Sequence, residues 1–124
     1  MEEIQKKIIE ILGGEFKVIN SFDNSSEEIA PDGVIAVGLQ NIEKFEHPGC
    51  EDFKFVFSIS GQTLTDEDLN QNRINQMFYF VLSKNFEKLK EIEGVVGVMP
   101  QGGGVTSTGE TNNFSFSLEV VFCS

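Results

Sequence analysis

Tryptophan is absent from this 124-residue chain, and tyrosine and histidine occur once each, as Tyr79 and His47. One histidine excludes paired-histidine metal sites. There are two cysteines, Cys50 and Cys123, so a four-ligand structural zinc centre lacks a second Cys/His pair. Lysine and arginine number nine against twenty acidic residues, a formal charge of −11. A broad phosphate-binding surface rests on many cations, so sequence-specific or general nucleic-acid binding is not expected. An anionic membrane surface is disfavoured for the same reason. No apolar run approaches the roughly 20 residues of a membrane helix. The opening Met1-Glu2-Glu3 is acidic and lacks an apolar signal region. These features give the expectation of a reducing, intracellular setting with both thiols free. The acidity itself has two readings. It keeps a small protein soluble, or it serves a basic partner or a passage that must not hold nucleic acid.

What is present is phenylalanine, twelve residues of it. In Asp52 to Ser60, Phe53, Phe55, Phe57 and Ile59 fall on every second position. Side chains of a strand alternate between faces, so these four share one side. Lys54, Ser58 and Ser60 share the other, with Val56 its apolar member. Burying each large apolar side chain is worth roughly 1.5–3 kcal/mol. A one-residue slip would put all four in water, which sets the register.

Around this strand the chain reads as one α+β domain, residues 1–124, with a mostly antiparallel sheet of four to five strands and two helices packed on one face. Ile4, Ile8, Ile9, Ile11 and Leu12 make the apolar side of a first helix over 2–12, stopped by Gly13-Gly14. Strands are predicted at 16–19, 34–39, 53–60, 95–99 and 114–122. A second helix of about 25 residues follows Thr65, its N-cap, and ends at Glu93-Gly94. Three long connections are expected: 20–33, 41–51 with a turn at Pro48-Gly49, and the glycine-rich Pro100–Asn113.

No motif carries catalysis or a cofactor. Gly102-Gly103-Gly104 is not followed by Gly-Lys-Ser/Thr and leads toward a strand, so it is not a phosphate loop. Glu46, His47, Cys50, Glu51 and Asp52 are near one another in sequence but lack a second ligand pair. His47 has no local nucleophile signature beside it. Asp66, Glu67 and Asp68 suit the positive end of a helix. The expectation is a non-enzyme without metal or cofactor.

Taken together, the layout resembles the bacteriophage tail-terminator (tail-completion) proteins and related small head–tail connection proteins. The resemblance lies in the opening helix ending at Gly13-Gly14, in Pro31-Asp32-Gly33-Val34-Ile35-Ala36-Val37, in the alternating strand Phe53–Ile59 with a long helix after it, and in the closing Asn113–Phe122 strand behind a polar glycine-rich loop. It implies a structural protein of a phage or prophage virion, assembled in the bacterial cytoplasm. Such a protein forms a ring with itself, commonly a hexamer, caps the tail tube, and meets head-completion proteins. On that footing the partner-binding residues are expected in the polar connections: Phe22, Ile29, Gln101, Gly102, Gly103, Gly104, Val105 and Glu110. The alternatives are a monomeric acidic module, immunity- or inhibitor-like, covering a basic protein, and a small enzyme built on His47.

Overall fold

The computed structural model describes residues 2–14, 16–20, 33–47, 50–64, 68–107 and 111–123. Among them run α1 (Glu2–Leu12), β1 (Lys17–Asn20), β2 (Val34–His47), β3 (Cys50–Leu64), α2 (Asp68–Leu82), a 3-10 helix (Phe86–Glu91), β4 (Val95–Ser107) and β5 (Thr111–Cys123). The strands form one sheet in the order β1-β2-β3-β5-β4. β1 pairs parallel to β2, and every other pairing is antiparallel. This is the expected mostly antiparallel α+β arrangement.

Strand alternation makes the sheet two-sided. Ile35 and Val37 of β2, Phe57 and Ile59 of β3, and Phe116 and Leu118 of β5 are buried on the inner face. The register places Leu39 opposite Phe57 and Phe57 opposite Leu118, so the apolar positions of three strands coincide. The wall is incomplete at its far end. Phe53 and Phe55 are only half-buried; their rings stack at 6.4 Å, and Phe55 tilts against Phe122.

α1 lays Ile4, Ile8 and Leu12 on this face. Its one buried polar side chain, Gln5, donates from Nε2 to the Val37 carbonyl at 3.2 Å. β1 ends opposite Val37, so the helix supplies the hydrogen bond where the short strand stops. α1 closes at Gly13, whose N–H donates to the Glu10 carbonyl, and Gly14 takes φ 129° where a Cβ would be strained.

The second helix is shorter than expected. α2 buries Ile74, Met77 and Val81 and stops at Leu82. Ser83 Oγ donates to the Phe80 carbonyl at 2.8 Å, a local bond that competes with continuation. Asn85 is extended, and its side chain accepts from the Glu87 N–H at 3.1 Å, capping the separate 3-10 turn. Phe86 and Leu89 return that turn to the core. The apolar stripe thus continues while the helix does not.

Two expected loops are strands. Asn41 to His47 and Cys50 onward extend the β2–β3 ladder, with a shift between Leu39 and Asn41. The register needs no buried side chain there, because Asn41 to Lys44 are exposed. Likewise β4 runs through the glycine run to Ser107. As an edge strand it tolerates Pro100, which lacks an N–H to donate. The expected N-cap Thr65 and the turn Pro48-Gly49 lie outside the described residues.

Candidate functional site

The residues expected to meet a partner fall in two segments. The described ends of both belong to one end of the sheet. Val34 pairs with Gln62, Leu64 with Thr111, and Ser107 with Asn112. Segments 65–67 and 108–110 therefore adjoin the same end of the sheet, and segment 21–32 leaves β1 at Asn20, opposite Val37, and rejoins the sheet at that end, before Val34. By sequence they carry Asp23, Glu27, Glu28, Asp32, Asp66, Glu67 and Glu110 and neither lysine nor arginine. Phe22, Ile29 and Glu110 themselves lie outside the described residues.

Gln101, Gly102, Gly103 and Gly104 are exposed, but on β4 rather than in a loop. Gln101 pairs with Ser117 and Gly104 with Ser115, so β4 carries one extra residue there, a bulge. Its pivot is Gly103. A Cβ built on Gly103 would lie 1.6 Å from the Ser115 carbonyl oxygen, whereas one on Gly102 or Gly104 meets nothing within 4 Å. The backbone of β4 presses against β5 at that one position, and only glycine permits it. Val105, expected in the glycine-rich connection, lies on β4, opposes Phe114 and packs, half-buried, against the core. Bulge parity returns it to the inner face.

Among the described residues no helix packs on the outer face of the sheet. At one end Lys54 Nζ bridges Glu43 at 3.0 Å and Glu119 at 3.4 Å. The hydrogen bond to Glu43, against an opposing cost of desolvation and with the attraction of Glu119 added, raises the Lys54 ammonium above the ordinary lysine value of 10.5. Beside this triad is a shallow depression lined by Gln40, Asn41, Val56, Gln101, Ser117 and Glu119. Amides and a hydroxyl can hydrogen-bond a polar surface there. No buried side-chain nitrogen or oxygen among the described residues lacks a partner.

Cys123 is disulfide-bonded, contrary to the expected free thiols. Its N–H donates to the Gly94 carbonyl at 2.8 Å, and its backbone pairs with Asp52. Cys50 opens β3 two residues earlier. The side chains of Glu46, His47, Cys50 and Glu51, and with them the alternative built on His47, lie outside the described residues. Among the described residues no group of three His, Cys, Asp or Glu side chains is placed to hold a metal ion, and no helix is long and apolar enough to cross a membrane. The chain matches no protein-family model and no curated protein.

Proposed function

We propose that this chain is a structural subunit of a phage or prophage tail, resembling tail terminators. In this reading it assembles with itself into a ring, caps the tail tube and joins it to the head-completion proteins. It performs no catalysis and holds no cofactor. The observation that supports the reading is the element order. A short helix and strand precede an aromatic hairpin, a helix, and a closing strand pair, all in one sheet with one face left bare. Two polar connections, 65–67 and 108–110, adjoin one end of that sheet and a third, 21–32, rejoins it there, and in this reading a ring subunit meets the tube or a neighbour at that end. Net charge −11 suits a ring through which DNA passes without being gripped.

The test is genetic and morphological. A phage or prophage lacking this chain is expected to yield tails of irregular length, unattached to heads. Tails of normal length joined to heads would refute the reading. The acidic end of the sheet favours a second reading, a module covering a basic protein. That reading requires a tight, salt-sensitive complex with a basic partner and no ring.

A further inference from the structure

The bare outer face differs from the rest of the chain in one respect. Cross-strand register arranges its residues in rows of four, one each from β2, β3, β5 and β4. The three rows that start at Val34, Ala36 and Gly38 contain no charged residue. A surface patch of twelve positions at the chain's 23% charged content would carry about three charges. The central row is Ala36, Ser60, Ser115 and Gly104, and the next is Gly38, Ser58, Ser117 and Gln101. Side chains this small let another surface approach closely. Charges stand around the band: exposed Lys17 on β1 continues the Val34 row, and at the other end Lys54 bridges Glu43 and Glu119. A neutral centre with a paired polar rim is the composition of a protein interface, in which charge is depleted at the core.

We infer that this neutral band is the surface through which one copy of the chain meets another. Band against band is a two-fold contact that pairs copies, so the inference goes beyond the ring reading, whose head-to-tail contact is a different one, and rests on that reading for self-assembly alone. Charge selects the occupant. Two chains at −11 repel each other, and the segments 21–32, 65–67 and 108–110, acidic by sequence and without lysine or arginine, are the worst place to join them. A basic partner would be drawn to those carboxylates and not to a band without charge. The band is the part of the described sheet where a second acidic copy can dock without opposing carboxylate to carboxylate. Its size is adequate. Four strands at about 4.8 Å by the three uncharged rows at about 6.8 Å cover about 400 Å² of each copy, and the rim row starting at Asn41 brings this to about 500 Å², a total of about 1,000 Å², the lower bound for a specific interface.

Ser58 lies on a central strand of the band, in the row next to its rim, and is half-exposed, so a charge there reaches solvent in a single copy. Sedimentation velocity is run on the whole chain up to about 1 mM, in about 0.5 M salt to screen the net charge. The wild type is expected to self-associate. Ser58→Glu is expected to weaken association more than about tenfold, as a buried like charge does, and Ser58→Ala to keep it. Gln76→Glu places the same charge on the exposed side of α2 and is expected to change association less than about threefold. Circular dichroism melting confirms that each variant folds. Equal weakening by Ser58→Glu and Gln76→Glu, or unchanged association in Ser58→Glu, overturns the inference and leaves the ring reading standing. A wild type that stays monomeric throughout also overturns it, and the ring reading is then decided by tail length. Irregular tails with a monomeric chain and normal tails with a self-associating chain are separate results, so the two failures are told apart.

Discussion

Three consecutive glycines on β4 should respond to the same substitution with opposite signs. Alanine at Gly103 must place its Cβ 1.6 Å from the Ser115 oxygen and 2.6 Å from the Ser115 carbonyl carbon, both backbone atoms that cannot rotate away. Relief requires β4 to move roughly 1.5 Å from β5 at the bulge. Two neighbouring ladder bonds are then lost at about 1 kcal/mol each. Residual crowding of the kind seen on overpacking adds about 1 kcal/mol or more. Because β4 is an edge strand and free to shift outward, the total is about 2–4 kcal/mol. Alanine at Gly102 or Gly104 meets nothing, and neither glycine has a positive φ. Those substitutions restrict the unfolded chain and stabilise by up to about 0.5 kcal/mol. Urea unfolding of the three variants, with midpoints compared at constant slope, measures the differences. At this chain length the Gly103→Ala loss corresponds to about 8–16 °C in Tm. If Gly103→Ala and Gly102→Ala agree within about 0.5 kcal/mol, the bulge is not where the backbones press together and the reasoning fails.

Three further outcomes follow from the packing and the charges. Phe57→Ala removes a fully buried ring and should cost about 3–5 kcal/mol in urea unfolding, whereas half-buried Phe55→Ala should cost about half of that; equal costs would show that the far end of the wall is as covered as its centre. The Lys54 ammonium gains its partners on folding, so its stabilisation is complete below pH 10.5 and lost as pH rises through its raised folded value. The stability gap between wild type and Lys54→Met should hold constant from neutral pH to about 10 and shrink above it, and a gap that widens in alkali would contradict the triad. Reductant should lower the Tm of the wild type, as losing a disulfide typically costs about 2–4 kcal/mol, and should leave Cys123→Ser unchanged.

The parts of the fold that were readable were those where a single physical demand acts on every residue. Phe53 to Ile59 and Phe114 to Phe122 alternate because one face must be buried, and both strands stand where that pattern puts them. The stop at Gly13-Gly14 was readable because φ 129° needs glycine. Asn41 to His47 gave no such signal. Its strand is held by ladder bonds to β3, and Asn41 to Lys44 are exposed, so hydropathy does not report it. The glycine run misled for a related reason. Gly102 and Gly104 read as loop residues, while the requirement at Gly103 is set by the Ser115 carbonyl of a strand distant in sequence. The helix break lay in Ser83 and Asn85, whose side chains bond to nearby backbone, but the apolar spacing through Phe86 and Leu89 concealed it. Of the residues expected to meet a partner, Gln101 to Gly104 are exposed on a strand where a loop was expected, and Val105 packs half-buried. It could not place that strand at the sheet edge, because strand order depends on pairings between distant segments.

The two functional readings divide on which surface an assembly buries. A module that covers a basic protein needs its carboxylates at the contact, and those cluster in the connections adjoining the sheet beside Val34, Leu64 and Thr111. A self-assembling subunit needs the reverse, a contact from which charge has been removed, and the uncharged rows of the outer face meet that need. Salt should therefore act with opposite sign in the two cases. Screening weakens an attraction between acidic and basic surfaces, and it strengthens self-association of a chain at −11 by damping repulsion between copies. Raising salt from about 0.05 to 0.5 M at fixed protein concentration is expected to increase the sedimenting mass of the pure chain. A mass that falls with salt would mean that the contact is built on opposite charges, and the neutral face would lose its role.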